Sequence, residues 1–349
     1  MVLQKRASIP ALDGLRAVAA FVVLLSHFSN ATGFLDYSVG KGAGQVGVIL
    51  FFALSGFLMC YVTDAVEPNP ANILEFWRRR VARVLPLYVF IVLAAYLLAK
   101  QTFAGESLKV YDVNDANLLQ HLLLLRGVNV LWTIPIEICF YVLFPLIWYL
   151  RHRLKSDAAL SVILLAVFMV WDSSREFLWT RMDTEIRFLE VVLRGHFFLL
   201  GILAYLAFRR MPPLKPNGLW LVLMLLLPLN YRNIIGLFVE GAYQPWAEPG
   251  TFIWVTLVLF ATARSSWAEW ALGNPVLRYL GRISYSIYLT HMFVLQYMRR
   301  FYTLDKSPVS LLILVGLVIG LSSLTYFLVE KPCRAVLNRI GRRPVPAAV

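Results

Sequence analysis

Charged residues are scarce in this 349-residue chain, where Asp, Glu, Lys and Arg together make up 15% and apolar residues 59%. The mean hydropathy of +0.68 lies far above that of water-soluble proteins. Apolar runs recur from one end of the chain to the other, which leaves no room for a separate soluble domain. The composition therefore excludes a water-soluble protein and predicts one polytopic membrane domain over 1–349.

Cysteine is scarce as well, with three residues in the whole chain. Cys60, Cys139 and Cys333 fall within or beside apolar runs, and their spacing fits neither a metal site nor a disulfide framework. A small-residue cleavage pattern is also missing after the first apolar run, which contains Arg16 and His27. We therefore expect no metal site and no disulfide network, and a first helix that is retained rather than cleaved.

A membrane-spanning helix requires about twenty mostly apolar residues. The segments that fit lie at 10–29, 43–63, 84–99, 130–150, 157–172, 190–208, 217–236, 249–263, 283–298 and 309–329. The fifth and eighth are short and would be tilted or extended by their neighbours. The prediction is an all-α, polytopic transmembrane helix bundle of about ten spanning helices.

The basic residues indicate how such a bundle is oriented. The net charge is +13, but Lys and Arg occur in short clusters between the apolar runs, which is typical of membrane topology rather than of nucleic-acid binding. More of them fall in inner than in outer segments when the N-terminus is inside, although Arg299, Arg300 and Lys306 oppose that choice. We expect both termini in the cytoplasm and no nucleic-acid partner.

The first span carries three ionisable residues, which are costly within a membrane and are therefore candidates for function. Arg16 and His27 are eleven residues apart, so they share a helix face and lie about 16 Å apart along the axis. Asp13 is placed to pair with Arg16. This polar stripe predicts a site, while a packed histidine and a snorkelling arginine remain the structural alternatives.

Other ionisable groups extend the candidate list. Glu137 is expected at a depth similar to that of His27, where a carboxylate would orient the imidazole, or would only join two helices. His291, after the run SYSIYLT that includes Tyr285, fits acceptor binding or packing equally well. Glu190 and Arg194 have the spacing of a structural ion pair.

An arginine cluster follows Trp77. It comprises Arg78, Arg79, Arg80 and Arg83, of which Arg79 and Arg83 have the spacing of one helix face. Guanidinium groups suit phosphates, so the cluster predicts an anion clamp. Topology or contact with anionic lipids would explain it too.

These segments resemble one family. IPALDGLRAVAAFVVLLSHF (9–28) is similar to the opening of membrane acyltransferase family 3, whose signature is an arginine, ten intervening residues and a histidine, here Arg16 and His27. Further matches occur in order at FFALSGFLM (51–59), FWRRRVARVLP (76–86), LWTIPIEICFYVLFPL (131–146), GRISYSIYLTH (281–291) and VEKPCR (329–334). In the fourth, Trp132, Glu137 and Tyr141 match the family's pattern, but Ile138 replaces the second carboxylate of its usual acidic pair.

The resemblance implies a membrane O-acyltransferase, which moves an acyl group, commonly acetyl, from acyl-CoA to a hydroxyl of a carbohydrate. The expected acceptor is a surface polysaccharide, a lipopolysaccharide sugar or another lipid-linked glycan. The expected location is the bacterial cytoplasmic (inner) membrane, with acetyl-CoA as co-substrate and no permanently bound cofactor. Some members carry an additional extracytoplasmic domain, so we expect this chain to be the stand-alone form, with a separate extracytoplasmic protein as a possible partner.

Roles follow for the candidate residues. His27 would act as general base or as the nucleophile that accepts the acyl group, with Glu137 as its catalytic partner. The acyl-CoA would be bound by Arg16, Arg78, Arg79 and Arg83. The acceptor or the site around it would involve Asp13, Trp132, Tyr141, Tyr285 and His291.

Two other function classes use the same residue types. A proton-coupled secondary transporter also buries His, Glu and Arg, but its expected inverted repeat is not detectable in the sequence. A scaffold or sensor would use buried charges only to hold helices together. Neither alternative predicts acyl-CoA hydrolysis or acyl transfer by the purified protein.

Overall fold

The computed structural model describes residues 8–40, 42–181, 194–212, 215–230 and 245–339. Within them the chain is helical apart from turns, loops and one two-stranded hairpin, β1 (Thr102–Phe103) and β2 (Glu106–Ser107), in which Thr102 pairs with Ser107. The helices in chain order are α1 (Pro10–Thr32), α2 (Ala43–Thr63), α3 (Pro70–Ala99), α4 (Leu118–Leu122), α5 (Thr133–Leu154), α6 (Asp157–Arg181), α7 (Phe197–Arg210), α8 (Asn217–Leu225), α9 (Pro249–Arg264), α10 (Ser266–Leu272), α11 (Pro275–Arg282), α12 (Ser284–Phe301), α13 (Pro308–Thr325) and α14 (Lys331–Arg339). The all-α prediction is confirmed.

Six helical segments of the described chain are long and apolar enough to cross a membrane. They are Pro10–Thr32, Ala43–Thr63, Pro70–Ala99, Asn129–Leu154, Asp157–Ser174 and Pro308–Arg339. The predicted span 249–263 forms the shorter apolar helix α9, and the predicted spans 190–208 and 217–236 lie partly outside the described residues. The helix α12 covers the ninth predicted span but is not among the six, because its sequence is interrupted by hydroxyl, histidine and arginine side chains.

The helix α1 is central to the bundle. Pro10 occupies its first turn, where a missing N–H group costs nothing. The helix ends where Gly33 adopts a left-handed conformation (φ 77°) and donates its N–H to the carbonyl oxygen of Ser29 at 2.8 Å. Between these ends α1 packs against α2, α10, α11 and α12, so most of its side chains are buried. A polar side chain on the buried faces of α1 therefore faces another helix or a cavity.

The helix α2 packs between α1 and α7, and glycines make this approach possible. A Cβ atom added to Gly201 of α7 would lie 1.7 Å from the carbonyl oxygen of Ala53 in α2. At Gly56 of α2, an added Cβ would lie 2.1 Å from the carbonyl oxygen of Phe198. Small residues at such positions let helix backbones approach closely. The contact fixes the position of α2, which lines the site described below.

This packing predicts a stability defect for Gly201→Ala. The added methyl group would force α2 and α7 apart, and overpacking of this kind costs roughly 1–3 kcal/mol. Thermal unfolding of the purified protein in detergent, followed by size-exclusion chromatography, should show a melting temperature lowered by several degrees.

The matched control is Gly316→Ala in α13, where nothing lies within 4 Å of an added Cβ. Alanine favours a helix by about 1 kcal/mol over glycine, so this variant should unfold at or slightly above the wild-type temperature. Equal melting temperatures for the two variants would contradict the close packing of α2 on α7.

Candidate active site

The polar stripe on α1 is present as its spacing predicts. The Arg16 guanidinium lies 3.0 Å from the Asp13 carboxylate, and the Arg16 side chain is only 13% exposed. Arg16 and His27 line two different cavities that adjoin each other inside the bundle. The stripe therefore runs along a path with Arg16 at one end and His27 at the other.

We call the first of these the arginine cavity. It lies among α1, α2, α3, α5 and α12 and has a cavity volume of about 70 Å³. Its lining residues are Arg16, Val48, Phe51, Phe52, Ser55, Arg83, Val84, Thr133, Ile134, Glu137, Ser284, Tyr285 and Tyr288. Most of this wall is apolar, and its charged groups are two arginines and one carboxylate. The combination suits a long, mostly apolar ligand with an anionic end.

Glu137 lies in the arginine cavity rather than beside His27. Its Oε1 atom accepts a hydrogen bond from the Ser55 hydroxyl at 2.9 Å and another from the Tyr141 hydroxyl. Among the described contacts, none joins Glu137 to His27. The sequence-based expectation that this carboxylate orients the imidazole is therefore corrected: Glu137 connects α5 to α2 and faces the arginines.

The arginines of α3 divide into two groups. Arg78 and Arg79 form ion pairs with Glu75 at 2.5 and 2.6 Å, whereas Arg83 lines the arginine cavity. Of the two arginines that the spacing places on one face, Arg83 lines the arginine cavity and Arg79 pairs with Glu75 one turn earlier on α3. Their joint role in binding a phosphate stays a prediction.

The buried position of Arg80 was not predicted from the sequence. It is buried, and its guanidinium lies 5.5 Å from the ring centre of Phe76 and 5.7 Å from that of Tyr141. The sequence does contain a pattern that predicts it. The buried side of α3 follows the helical period, and its residues include Phe76, Arg80, Val84 and Leu87. An arginine on an otherwise apolar stripe is a candidate for a site.

Glu330 is a second residue that the sequence reasoning did not single out. It ends a π-helical turn, Tyr326–Glu330, and is 3% exposed. The Ser286 hydroxyl donates a hydrogen bond to Glu330 at 3.0 Å, and Arg83, Arg16 and Arg334 interact with it electrostatically. Single π-helical turns often occur at functional sites. Glu330 therefore helps to balance the arginines around the first cavity.

We call the other cavity the histidine cavity; its volume is about 310 Å³. Its lining residues are Val23, Ser26, His27, Asn30, Gly42, Gly44, Gln45, Val48, Asn129, Val130, Trp132, Arg194, Trp246 and Tyr288. The indole rings of Trp132 and Trp246 are 5.8 Å apart, and the Arg194 guanidinium lies 4.4 and 5.0 Å from their centres. Glu190, the expected partner of Arg194, lies outside the described residues. The wall thus combines flat apolar surfaces with amide, hydroxyl and imidazole groups.

His291 lies next to His27, with the two ring centres 5.2 Å apart. Its Nδ1 atom is 3.2 Å from the carbonyl oxygen of Ile287, and its Nε2 atom is buried without a hydrogen-bond partner among the described residues. An Nδ1–H donated to Ile287 leaves Nε2 as an acceptor. The group beside the His27 ring is therefore a second imidazole and not the predicted carboxylate.

The remaining candidates, Tyr141 and Tyr285, support the arginine cavity. Tyr285 lines it and donates its hydroxyl to the carbonyl oxygen of Val84 at 2.8 Å. Tyr141 is 2% exposed and reaches the cavity through Glu137. Both tyrosines therefore belong to the arginine cavity and its surroundings, not to the histidine cavity.

Comparison with known proteins identifies the family of this chain. A profile of the acyltransferase domain of family 3 matches residues 9–327. O-acetyltransferase OatA of Staphylococcus aureus strain NCTC 8325 / PS 47 is 28% identical over 380 residues, which cover 93% of this chain and 57% of the relative. OatA of strain COL gives the same values. The chain thus spans little more than half the length of these relatives, and no solved structure matches it. The match over nearly the whole chain shows that this protein belongs to acyltransferase family 3, and six of its described helical segments are long and apolar enough to cross a membrane.

Proposed function

We propose that this protein transfers an acetyl group from acetyl-CoA to a hydroxyl group of a carbohydrate. The observation that carries the proposal is the pair of adjoining cavities, one lined by Arg16 and Arg83 and the other by His27. Relatives named as O-acetyltransferases support the acetyl group and the oxygen acceptor. A transporter would be expected to show an inverted repeat instead.

The arginine cavity suits the donor. Guanidinium groups bind phosphates through paired charge-assisted hydrogen bonds, and coenzyme A carries a pyrophosphate and a 3′-phosphate. Arg16 and Arg83 would hold these groups at the mouth, and the mostly apolar wall beyond them suits the pantetheine arm. Arg80, buried beside Tyr141, would add a third positive charge behind that wall.

The histidine cavity suits a sugar. Indole rings such as those of Trp132 and Trp246 offer flat apolar surfaces, while Asn30 and Gln45 offer donors and acceptors to hydroxyl groups. The Gln45 Oε1 atom is buried without a hydrogen-bond partner among the described residues. A hydroxyl donor on the acceptor would satisfy it, and buried polar atoms are normally satisfied.

His27 would carry the chemistry between these two ligands. Acting as general base, its unprotonated ring nitrogen takes the proton of the acceptor hydroxyl while the oxygen attacks the thioester carbonyl carbon. The C–S bond then breaks, and the coenzyme A sulfur leaves with the proton returned by the imidazolium. In the covalent alternative the ring nitrogen attacks the thioester carbonyl carbon, the C–S bond breaks and coenzyme A leaves as the thiolate. The acceptor oxygen then attacks the acetyl-imidazole, the N–C bond breaks and the hydroxyl proton passes to the released imidazole or thiolate.

The proposed direction across the membrane combines this arrangement with the balance of basic residues in the sequence. We propose that both termini lie in the cytoplasm of a bacterium and that the arginine cavity receives acetyl-CoA from that side. The acceptor, a surface polysaccharide, a lipopolysaccharide sugar or a lipid-linked glycan, would then reach His27 from the outer side. Where the final acceptor lies beyond the membrane, a separate extracytoplasmic protein would transfer the acetyl group to it.

The test uses the full chain purified in detergent with acetyl-CoA labelled in the acetyl group. We expect release of free coenzyme A thiol and transfer of the label to a surface-glycan extract from the source cells. Mass spectrometry of cell-surface glycans with and without the gene would identify the acceptor. Absence of both thiol release and label transfer, together with proton-coupled solute uptake in liposomes, would favour the transporter.

A further inference from the structure

The two cavities meet at two side chains. Within the described part of the chain, Val48 of α2 and Tyr288 of α12 line both the arginine cavity and the histidine cavity. We propose that Tyr288, together with Val48, forms a wall that limits the donor to a short acyl chain and shields its thioester from water. The proposal rests on the function proposed above, because the ligand on the arginine side is taken to be an acyl-CoA.

The position of Tyr288 follows from the spacing along α12. Ser284 and Tyr285 line the arginine cavity, and His291 lies beside His27. Residues three and four apart share a helix face, so Tyr288 falls one turn from each of these groups. Tyr288 thus lies between the group that would hold the donor and the group that would activate the acceptor.

The ring of Tyr288 is held in place by its neighbours. It is 6% exposed, its centre lies 5.8 Å from that of Phe51 in an edge-on arrangement, and it lies 6.1 Å from that of His291. Thr133 lines the arginine cavity together with Tyr288. Val48 is 7% exposed. A side chain packed on several sides acts as a fixed wall, because packed interiors accommodate little extra volume.

A fixed wall has a consequence for the donor. The sulfur must approach from the arginine cavity, and the carbonyl carbon must reach the hydroxyl that His27 activates, so the acyl chain meets Tyr288. An acetyl methyl group is the smallest group that fills this place. Longer chains would have to displace the ring or extend into the space of the acceptor. One methylene can change specificity about 10–200-fold in a close-fitting pocket.

The wall predicts a change in chain-length preference for Tyr288→Ala. We expect the ratio of kcat/KM for butyryl-CoA to that for acetyl-CoA to rise at least about tenfold, because the missing ring opens space for two methylenes. Release of coenzyme A without a sugar acceptor should rise as well, since the thioester becomes accessible to water from the histidine cavity.

Two matched variants separate this role from general packing. Tyr288→Phe keeps the ring and should leave the butyryl-to-acetyl ratio within about twofold of wild type, and Val48→Leu should lower the ratio by narrowing the passage. Val48→Ala opens the wall from the other side and serves where Tyr288→Ala does not fold. A fully folded Tyr288→Ala or Val48→Ala protein with the wild-type ratio would overturn the proposal.

A binding measurement distinguishes failure of the wall from failure of the proposed function. S-ethyl and S-hexyl thioethers of coenzyme A bind without turnover and can be compared by titration calorimetry. We expect the wild-type protein to prefer S-ethyl coenzyme A and Tyr288→Ala to lose that preference. Equal wild-type affinity for both thioethers overturns the wall alone, whereas no binding of either contradicts the acyl-CoA function itself.

Discussion

Replacing His27 with alanine is expected to lower acetyl transfer by about 10²–10⁴-fold, the range that one general acid–base group supplies. His27 lines the cavity that offers indole and amide groups to an acceptor, and its ring lies beside that of His291. Without the imidazole, the acceptor hydroxyl keeps its proton and is a poor nucleophile. The measurement is label transfer from acetyl-CoA to glycan by the purified variant.

The control for this experiment is His152→Ala. His152 is an exposed histidine near the end of α5, distant in the chain from both cavities and not among their lining residues. It should retain wild-type transfer, and both variants should show wild-type melting temperatures. Wild-type turnover by a folded His27→Ala protein would exclude His27 as the base and as the nucleophile.

The two roles of His27 differ in what accumulates on the protein. A nucleophilic histidine would carry the acetyl group when acetyl-CoA is supplied without acceptor, and mass spectrometry of the peptide that contains Ser26 and His27 would detect it. A general base would leave that peptide unmodified while thiol release still required the acceptor. The arrangement of the two cavities is compatible with either route, so this measurement decides between them.

The sequence predicts those features of the site that depend on a single helix. The spacing of Asp13, Arg16 and His27 predicts an ion pair and a shared polar stripe, and the structure has both. Such features follow from the rise and rotation of a regular helix, which are nearly constant. The all-α architecture was predictable for a similar reason, because a lipid environment requires every backbone group to be paired within its own helix.

Features that depend on two helices were less predictable. Helical rise places Glu137 at a certain depth, but the neighbour it meets depends on which face of α5 turns towards α2. The structure gives it Ser55 and Tyr141, and it gives His27 the ring of His291 instead. Long-range packing decides such pairings, and one sequence contains no direct record of it. Tyr288 was missed because nothing in its local pattern distinguishes a wall from a packed tyrosine.

The number of spanning helices shows a related difficulty. A search for apolar runs finds segments of sufficient length. On α12, however, Ser284, Tyr285 and Tyr288 face the cavities, and the ring of His291 lies beside that of His27. These polar residues make the helix less hydrophobic than one that faces lipid. Function and hydropathy therefore conflict in a segment that lines the site, and a count of spans based on hydropathy misses it there.

Neutralising the arginines that line the arginine cavity is expected to weaken acetyl-CoA binding more than any other change on the donor side. Arg83→Gln and Arg16→Gln should each raise the KM for acetyl-CoA by about 10–100-fold, which corresponds to the roughly 1.5–3 kcal/mol of a charge-assisted hydrogen bond. The KM for the glycan acceptor should change little, because the acceptor faces His27 in the other cavity. Part of the donor affinity should also be lost as salt is added, since phosphate contacts near a membrane surface are screened.

The matched control is Arg79→Gln on the same helix, one turn from Arg83. Arg79 is held by Glu75 at 2.6 Å and does not line the cavity, so its loss should change the KM for acetyl-CoA by less than about threefold, as for most surface ion pairs. Sequence spacing alone places Arg79 and Arg83 on one face and predicts similar losses of acetyl-CoA affinity for both variants, whereas the structure predicts unequal losses.

The outcomes distinguish three cases. Equal losses of affinity for Arg79→Gln and Arg83→Gln would support the anion clamp that the sequence suggests. No loss of affinity for Arg83→Gln or Arg16→Gln would leave the cluster with a role in topology only. Reporter fusions at residues 64–69 would then test that role, because a topological determinant changes the side on which this loop lies and a ligand-binding arginine does not.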